Sequence, residues 1–251
     1  MNNRRQPPRF NRNGTSSTVM PNHNPIPRPT ISIVDHYLPN DSHNLYDVTF
    51  YSDTIHTLLT SEPSLVDSWI SDILRIHRRR LRHLIVGLDV EWRPNTQRNM
   101  QNPVATLQLC VGRRCLVFQI LFAQFMPESL ISFLGDRNLT FVGVGIEEDV
   151  EKLLEDYSLL VANFVDLRSL AAEKLGEQEL NRAGVKTLGL RVLGREVHKP
   201  QWITRSRWDN RWLTAEQVQY AALDAFVSFE VGRRLSSLNN DNIANASPLP
   251  S

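Results

Sequence analysis

Cysteine is scarce in this sequence: its 251 residues include only Cys110 and Cys115. A disulfide framework needs several pairs and a structural zinc centre needs four ligands, so this number argues against both. The two cysteines lie in adjacent apolar runs of the kind that form β-strands. We therefore expect them to be reduced core residues on neighbouring strands.

Long apolar runs are also absent. No segment approaches the roughly 18 to 20 apolar residues that span a bilayer, and the first residues lack the apolar region of a secretory signal. These absences predict an intracellular protein with no membrane partner. The charge is balanced as well, with a formal net charge of +1 at pH 7, so an anionic polymer could be held only by a local basic surface.

A glycine-rich dinucleotide loop is missing too. Gly143 and Gly145 resemble the start of one, but the third glycine is not in register, which argues against that class of site. The segment is interpreted instead as a short strand that leads into a helix.

The composition predicts one folded domain between two disordered ends. Residues 1–40 contain half of the 14 prolines and five arginines against the single acid Asp35, a composition that cannot bury much apolar surface. We expect residues 1–40 to form a disordered basic arm, residues 41–237 to form the domain, and residues 238–251 to form a disordered tail.

Apolar periodicity within the domain predicts an α/β protein. A hairpin is expected over residues 44–60. Strands are expected at 84–91, 104–111, 115–120, 140–144 and 163–167. Helices are expected at 64–80, 127–134, 147–156, 168–175, 185–193 and 214–235.

Four acidic residues and one tyrosine stand out at the ends of these elements. Asp89 and Glu91 alternate at the end of an apolar strand, so both carboxylates lie on the same side of it. Asp149 lies in the first turn of a helix, where favourable interaction with the helix dipole would also explain an acid. Tyr220 and Asp224 are four residues apart on a helix, and so share a face. Each motif alone is also explained by a solvated strand or helix end.

The order and spacing of the five side chains resemble the DEDDy group of 3'-5' exonucleases, and within it the exonuclease domain of the Werner syndrome protein and its free-standing relatives. The resemblance covers roughly residues 45 to 236. It is carried by VATLQLC (Val104–Cys110), GVGIEEDVEKL (Gly143–Leu153), NFVDL (Asn163–Leu167) and RWLTAEQVQYAALDA (Arg211–Ala225). It implies a ribonuclease H-like fold, in which a mixed sheet with three antiparallel strands followed by parallel ones is flanked by helices.

The resemblance also implies the chemistry. Two Mg²⁺ or Mn²⁺ ions would hydrolyse a phosphodiester bond, with Asp89 bridging both ions. Glu91 and Asp224 would complete the ion that holds the attacking water. Asp149 would support the second ion, and Tyr220 would orient the water.

Basic and aromatic residues before the last helix are the predicted substrate contacts. Arginines can bind phosphate and indoles can stack on unpaired bases, although tryptophans in such a loop also commonly anchor it to the core. The predicted contacts are Trp92, Lys199, Arg205, Arg207 and Arg211, with Trp202, Trp208 and Trp212 between them. A second basic run, from Arg75 to Arg82, is interpreted as a solvated helix end, a phosphate-binding segment or an import signal.

Three functions are consistent with these motifs. The leading one is an active 3'-5' exonuclease with DNA as the favoured substrate. The alternatives are an RNase D-like enzyme that trims RNA 3' ends and a catalytically silent nucleic-acid-binding module. No helicase motif is present, so a helicase or repair partner would be a separate chain, and the resemblance favours the nucleus over the cytoplasm.

Overall fold

The computed structural model describes residues 30–38, 42–97 and 100–244, whose strands form one mixed sheet. The eight strands lie in the order β1-β2-β3-β6-β5-β4-β7-β8. Their bounds are β1 Ile31–Asp35, β2 His43–Phe50, β3 Asp53–Thr60, β4 Ile85–Trp92, β5 Val104–Val111, β6 Arg114–Phe118, β7 Thr140–Gly143 and β8 Phe164–Asp166.

Seven α-helices alternate with or follow these strands in the described part of the chain. They are α1 Pro63–His77, α2 Glu128–Leu134, α3 Ile146–Tyr157, α4 Leu167–Leu175, α5 Val185–Leu193, α6 Gln201–Thr204 and α7 Ala215–Ala244. Each helix and strand predicted from periodicity is present, with ends shifted by a few residues. The exception is the C-terminal end of α7, which extends to Ala244.

The pairing of the strands confirms the expected ribonuclease H-like topology. Strands β4, β5 and β6 are antiparallel neighbours, whereas β7 and β8 run parallel to β4. The hairpin β2–β3 was expected, but its place in the sheet was not: β3 pairs in parallel with β6 and so extends the sheet by three strands. Cys110 and Cys115 are direct cross-strand partners, buried and free, as predicted.

Both predicted domain boundaries need correction. Residues 31–35, assigned to the disordered arm, form β1, which pairs with β2 and places Ile31 and Ile33 against the core. The short Ile-Ser-Ile alternation is typical of a strand. The surrounding prolines dominate the composition, however, and the composition predicted disorder. At the other end, α7 continues to Ala244, beyond the expected boundary at 237. Residues 1–29, 39–41, 98–99 and 245–251 lie outside the described residues.

Helix α7 lies directly on the centre of the sheet. A Cβ added to Gly87 of β4 would lie 2.0 Å from the carbonyl oxygen of Ala225, so only glycine permits this approach. The helix presents small, fully buried residues there: Ala221, Ala222 and Ala225. On the other face of β4, Val86 and Leu88 are also fully buried, as expected for a strand covered on both sides. None of the helices in the described ranges has the length and apolarity needed to cross a membrane.

The close contact of α7 with β4 yields a stability prediction. Gly87→Ala should lower the free energy of unfolding by about 2 kcal/mol or more, because the added methyl group forces the helix away from the sheet. Urea unfolding followed by circular dichroism measures this change. Gly184→Ala is the matched control, since a Cβ there meets nothing within 4 Å. Equal losses in the two variants would contradict the proposed packing.

Candidate active site

Strand β4 places Asp89 and Glu91 at the end of the sheet. Because side chains alternate along a strand, both carboxylates lie on the face that Gly87 presents to α7. The pairing of β4 with β5 shifts its register between Glu91 and Trp92. Irregularities of this kind re-aim side chains and are frequent beside active sites.

Helix α7 supplies the other half of the cluster. Its start is fixed by the predicted capping box: the Thr214 amide donates to Gln217 Oε1 (3.0 Å), and the Gln217 amide donates to Thr214 Oγ1 (3.3 Å). Tyr220 and Asp224 follow on one face, and both are buried. One oxygen each from Asp89, Glu91 and Asp224 lies within 4.8 Å of the others, the only such group of three metal-ligand side chains in the described ranges.

Asp149 is close to this group but not part of it. The side chain is buried in the first turn of α3. Burial raises the pKa of its carboxyl well above the ordinary value, and the charge of Asp89 raises it further. The structure therefore brings three of the four predicted acids into direct proximity and leaves the fourth at the edge of the cluster.

The cluster holds its carboxylates in an environment that disfavours negative charge. Burial is the largest cause: with the neighbouring charge of Asp224, it raises the pKa of Asp89 to about 8. Burial and the charges of Asp89 and Asp224 likewise raise the pKa of Glu91. Like charges at this spacing repel strongly in a low dielectric. The arrangement therefore favours a bound cation.

Lys199 lies inside the cluster rather than on the outer surface that its sequence position suggested. Its ammonium group forms an ion pair with Asp224 and lies 4.7 Å from the centroid of the Tyr220 ring. Burial would lower the pKa of this ammonium, but the charges of Asp224 and Asp89 raise it overall. Lys199 therefore carries a positive charge that partly compensates the acids.

The role of the other predicted substrate contacts stays a prediction. Trp92 is half-buried, with Lys152 Nζ 5.0 Å from the centroid of its ring. Arg205 is exposed at the end of α6, and exposed Arg207 pairs with Asp209 (3.0 Å). The Arg211 guanidinium lies 5.9 Å from the centroid of the Phe122 ring.

The three tryptophans of this stretch divide into two groups. Trp208 is fully buried against Tyr220, with ring centroids 5.8 Å apart, so it anchors the loop. Trp202 and Trp212 are 64% and 66% exposed and can contact a partner molecule. Trp202 and Tyr220 line one cavity of about 420 Å³.

Several residues that shape the site were not singled out from the sequence. Gln108 and Thr106 of β5 are the cross-strand partners of Asp89 and Glu91, and so share their face of the sheet. The sequence of β5 shows only the apolar pattern of an ordinary strand. The pairing of β4 with β5 is what places these two residues beside Asp89 and Glu91.

A second missed group positions the helix that carries Asp149. The Asp166 carboxylate accepts hydrogen bonds from the Gly145 amide (3.1 Å) and the Arg168 amide (2.7 Å). Gly145 has φ +78°, the left-handed conformation that favours glycine, directly before α3. Asp166 belongs to the NFVDL segment, so the signal was present as a family resemblance without an assigned role.

The acids fit Mg²⁺ or Mn²⁺ by chemistry. The donors are all carboxylate oxygens, which suit these hard cations better than zinc. Asp89 Oδ2 is buried and has no hydrogen-bond partner among the described residues, as expected for an atom that serves as a ligand.

Comparison with known proteins gives the same assignment. The family model described as 3'-5' exonuclease matches residues 62–238. The chain is 34% identical over 154 residues to a 3'-5' exonuclease of Arabidopsis thaliana, covering 61% of this chain and 53% of the relative. It is 35% identical over 157 residues to the bifunctional 3'-5' exonuclease/ATP-dependent helicase WRN of Mus musculus, covering 62% of this chain and 11% of the relative. The chain thus spans about half or less of these relatives.

A solved structure supports the fold. The ribonuclease D of Escherichia coli, an exoribonuclease, aligns with a TM-score of 0.59 and 20% identity, covering 74% of this chain and 46% of that one. The matched region contains β4, α3 and most of α7, which carry all five predicted catalytic side chains. The chain therefore belongs to the 3'-5' exonuclease family.

Proposed function

We propose that this chain hydrolyses phosphodiester bonds one nucleotide at a time from the 3' end of nucleic acid, and that it does so with two divalent metal ions. The observation that supports this proposal most directly is the convergence of Asp89, Glu91 and Asp224 to within 4.8 Å. Loss of any one acid would have favoured a silent binding module, and no acid is lost. Mg²⁺ or Mn²⁺ would supply an activated water and neutralise charge at the phosphate.

The proposed role of each acid in holding the metal ions follows from its position. Asp89 interacts electrostatically with both Asp224 and Asp149, so it would help to hold both ions. Glu91 and Asp224 complete one side of the site. Asp149, at the edge of the cluster, supports the other side.

Tyr220 orients the attacking water by donating a hydrogen bond. Burial, together with the charge of Asp224, raises the pKa of its phenol well above the ordinary value, so it stays protonated and does not act as a base. The Thr204 hydroxyl donates to the Tyr220 oxygen at 3.3 Å, which leaves the phenolic hydrogen free to point elsewhere. Lys199, held on Asp224, adds a positive charge where the substrate phosphate would lie.

DNA is the proposed substrate in preference to RNA. This preference rests on the resemblance to the exonuclease/helicase, which is 35% identical, and RNA remains the alternative substrate. A separate helicase or repair protein is the proposed partner, and the nucleus is the proposed location. Hydrolysis of matched DNA and RNA oligonucleotides by the same preparation tests the preference.

The catalytic assignment predicts the outcome of a cleavage assay. With Mn²⁺, the wild-type protein should shorten a 5'-labelled DNA strand stepwise from its 3' end. Asp89→Asn should slow the single-turnover rate by on the order of 10³-fold, equivalent to about 4 kcal/mol of barrier, because a carboxylate that would hold the metal ions is lost. Release of the 5' label first, as a single nucleotide, would contradict the proposed polarity.

Tyr220→Phe separates the positioning of water from the binding of metal. It should slow the same rate by roughly 10²-fold, the usual effect of removing one preorganised hydrogen-bond donor, while metal affinity stays near that of the wild type. A Mn²⁺ titration of each variant measures that affinity. If Tyr220→Phe weakens Mn²⁺ binding as much as Asp89→Asn does, the proposed role is wrong.

The raised pKa of Asp89 predicts how pH and metal affect stability. In the folded chain this carboxyl holds a proton up to about pH 8, whereas the unfolded chain releases it near pH 4. Between these values the folded state binds more protons, so this group's contribution to stability falls as the pH rises. In EDTA, the unfolding temperature should therefore be lower at pH 8 than at pH 5.

Added metal should reverse this trend. Mn²⁺ at about 100 times its dissociation constant contributes about 2.7 kcal/mol, or roughly 5 to 10 °C of unfolding temperature. The gain should be larger at pH 8 than at pH 5, where metal must displace a proton. Asp89→Asn is the control and should show both effects only weakly. Identical pH profiles for the wild type and this variant would contradict the prediction.

The cavity beside Tyr220 is the proposed contact for an unpaired base at the reacting end. Trp202→Ala should raise KM for single-stranded DNA by roughly tenfold, since base stacking on an aromatic ring is worth about 1 to 3 kcal/mol. Trp212→Ala is the matched control, because Trp212 is equally exposed but lines a different cavity, with Gln119 and Arg211. Equal KM values for Trp202→Ala and Trp212→Ala would argue against the contact.

A further inference from the structure

The basic run after α1 is not explained by the active site. Arg75 and His77 lie in the last turn of α1, where the helix dipole favours positive charge. Arg78, Arg79 and Arg80 lie beyond the helix end and are exposed. Within the described ranges none of these three has a carboxylate within ion-pair distance, in contrast to Arg75, which pairs with Asp72 at 2.7 Å.

The fold gathers further arginines at the same place. Arg80 lines a cavity of about 580 Å³ together with Arg113, from the β5–β6 turn, and Arg233, from α7. Arg80 also lines a neighbouring groove of about 470 Å³ with Arg78 and Arg79, so the two depressions are continuous. We call these five residues, Arg78, Arg79, Arg80, Arg113 and Arg233, the arginine surface.

The acids near this surface do not cancel its charge. Asp53 is shared between Arg113 (2.6 Å) and Arg195 (2.7 Å), and Glu230 pairs with Arg233 (2.7 Å). Three arginines therefore stay without a carboxylate partner. The positive charge in this region also affects His77, whose pKa is lowered by burial and by the nearby positive charges of Arg80 and Arg114.

The arginine surface lies at the opposite end of β4 from the acidic cluster. Ile85, the first residue of β4, lines its cavity, whereas Glu91 belongs to the cluster. Six residue steps along the strand separate Ile85 from Glu91, or about 20 Å. Duplex DNA rises about 3.4 Å per base pair, so a duplex must extend about six base pairs from the reacting end to reach the surface.

The side chains that line the surface indicate the form of nucleic acid. Platforms for unpaired bases combine cations with exposed aromatic rings. The one Phe, Tyr or Trp that lines the larger cavity, Phe229, is buried, and the groove from Arg75 to Arg80 contains none of these three residue types. The other rings in the two linings are the imidazoles of His77 and His83. Exposed Trp202 and Trp212 belong to other cavities. Unpaired arginines without an exposed Phe, Tyr or Trp suit the regularly spaced phosphates of a duplex.

We propose that the arginine surface binds the phosphate backbone of double-stranded nucleic acid, at a distance from the 3' end held in the acidic cluster. The inference rests on the proposed function only in taking nucleic acid as the substrate. It adds a second contact, which makes binding depend on substrate length and on salt.

The test compares two charge-matched variants. Arg78→Gln/Arg79→Gln removes two charges from the surface, while Arg182→Gln/Lys186→Gln removes two exposed charges near the start of α5. Binding of a 20-base-pair DNA duplex is measured by fluorescence anisotropy in EDTA, which prevents cleavage. Each lost phosphate contact should reduce the salt slope by about 0.9. A fourfold rise in salt should therefore cost the wild type about tenfold more affinity than it costs the surface variant.

Hydrolysis of a five-nucleotide DNA strand separates this inference from the proposed activity. Such a strand is unpaired and offers no duplex to the surface, so the surface variant should cleave it at the wild-type rate. If the wild type binds the duplex with the expected salt slope but cleaves no substrate, the proposed activity is contradicted and the proposed binding surface is still supported. Equal affinities and slopes for the two variants would overturn the surface. The proposal would also be overturned if the surface variant lost binding to phosphatidylserine vesicles while its binding to the duplex stayed unchanged.

Discussion

The contact of α7 with β4 determines the rest of the site. Gly87 has no side chain, and the facing turn of α7 is built from alanines, so the helix backbone lies directly on the strand. This close approach brings Asp224 beside Asp89 and Glu91. The packing energy of the apolar core therefore holds together three carboxylates that would otherwise repel one another.

The fold compensates that repulsion from within its own sequence. Lys199 reaches the cluster from the segment between α5 and α6 and pairs with Asp224. A permanent cation at this point reduces the cost of burying the acids, while Asp89 Oδ2 keeps no hydrogen-bond partner among the described residues. The site is thus partly neutralised, and it retains the ligand atoms that a divalent ion would use.

Opposite charges separate to the two ends of the central strand. The acidic cluster lies at the end of β4, and the arginine surface lies at its start. Such a separation is compatible with a formal net charge of only +1, because the two regions cancel in the total. A polyanion is then attracted to one end of the domain, while the other end is suited to cations.

The sequence by itself determined the elements and indicated the candidate catalytic side chains. Strong periodicity predicted the helices and strands, and short motifs predicted Asp89, Glu91, Asp149, Tyr220 and Asp224, because periodicity and each motif depend on residues close in the chain. The place of β3 beside β6, the edge strand β1 and the burial of Lys199 depend on contacts between distant segments. No local pattern encodes such contacts, so only the tertiary structure decided them. The same holds for the arginine surface, whose members come from three separate elements that packing alone brings together.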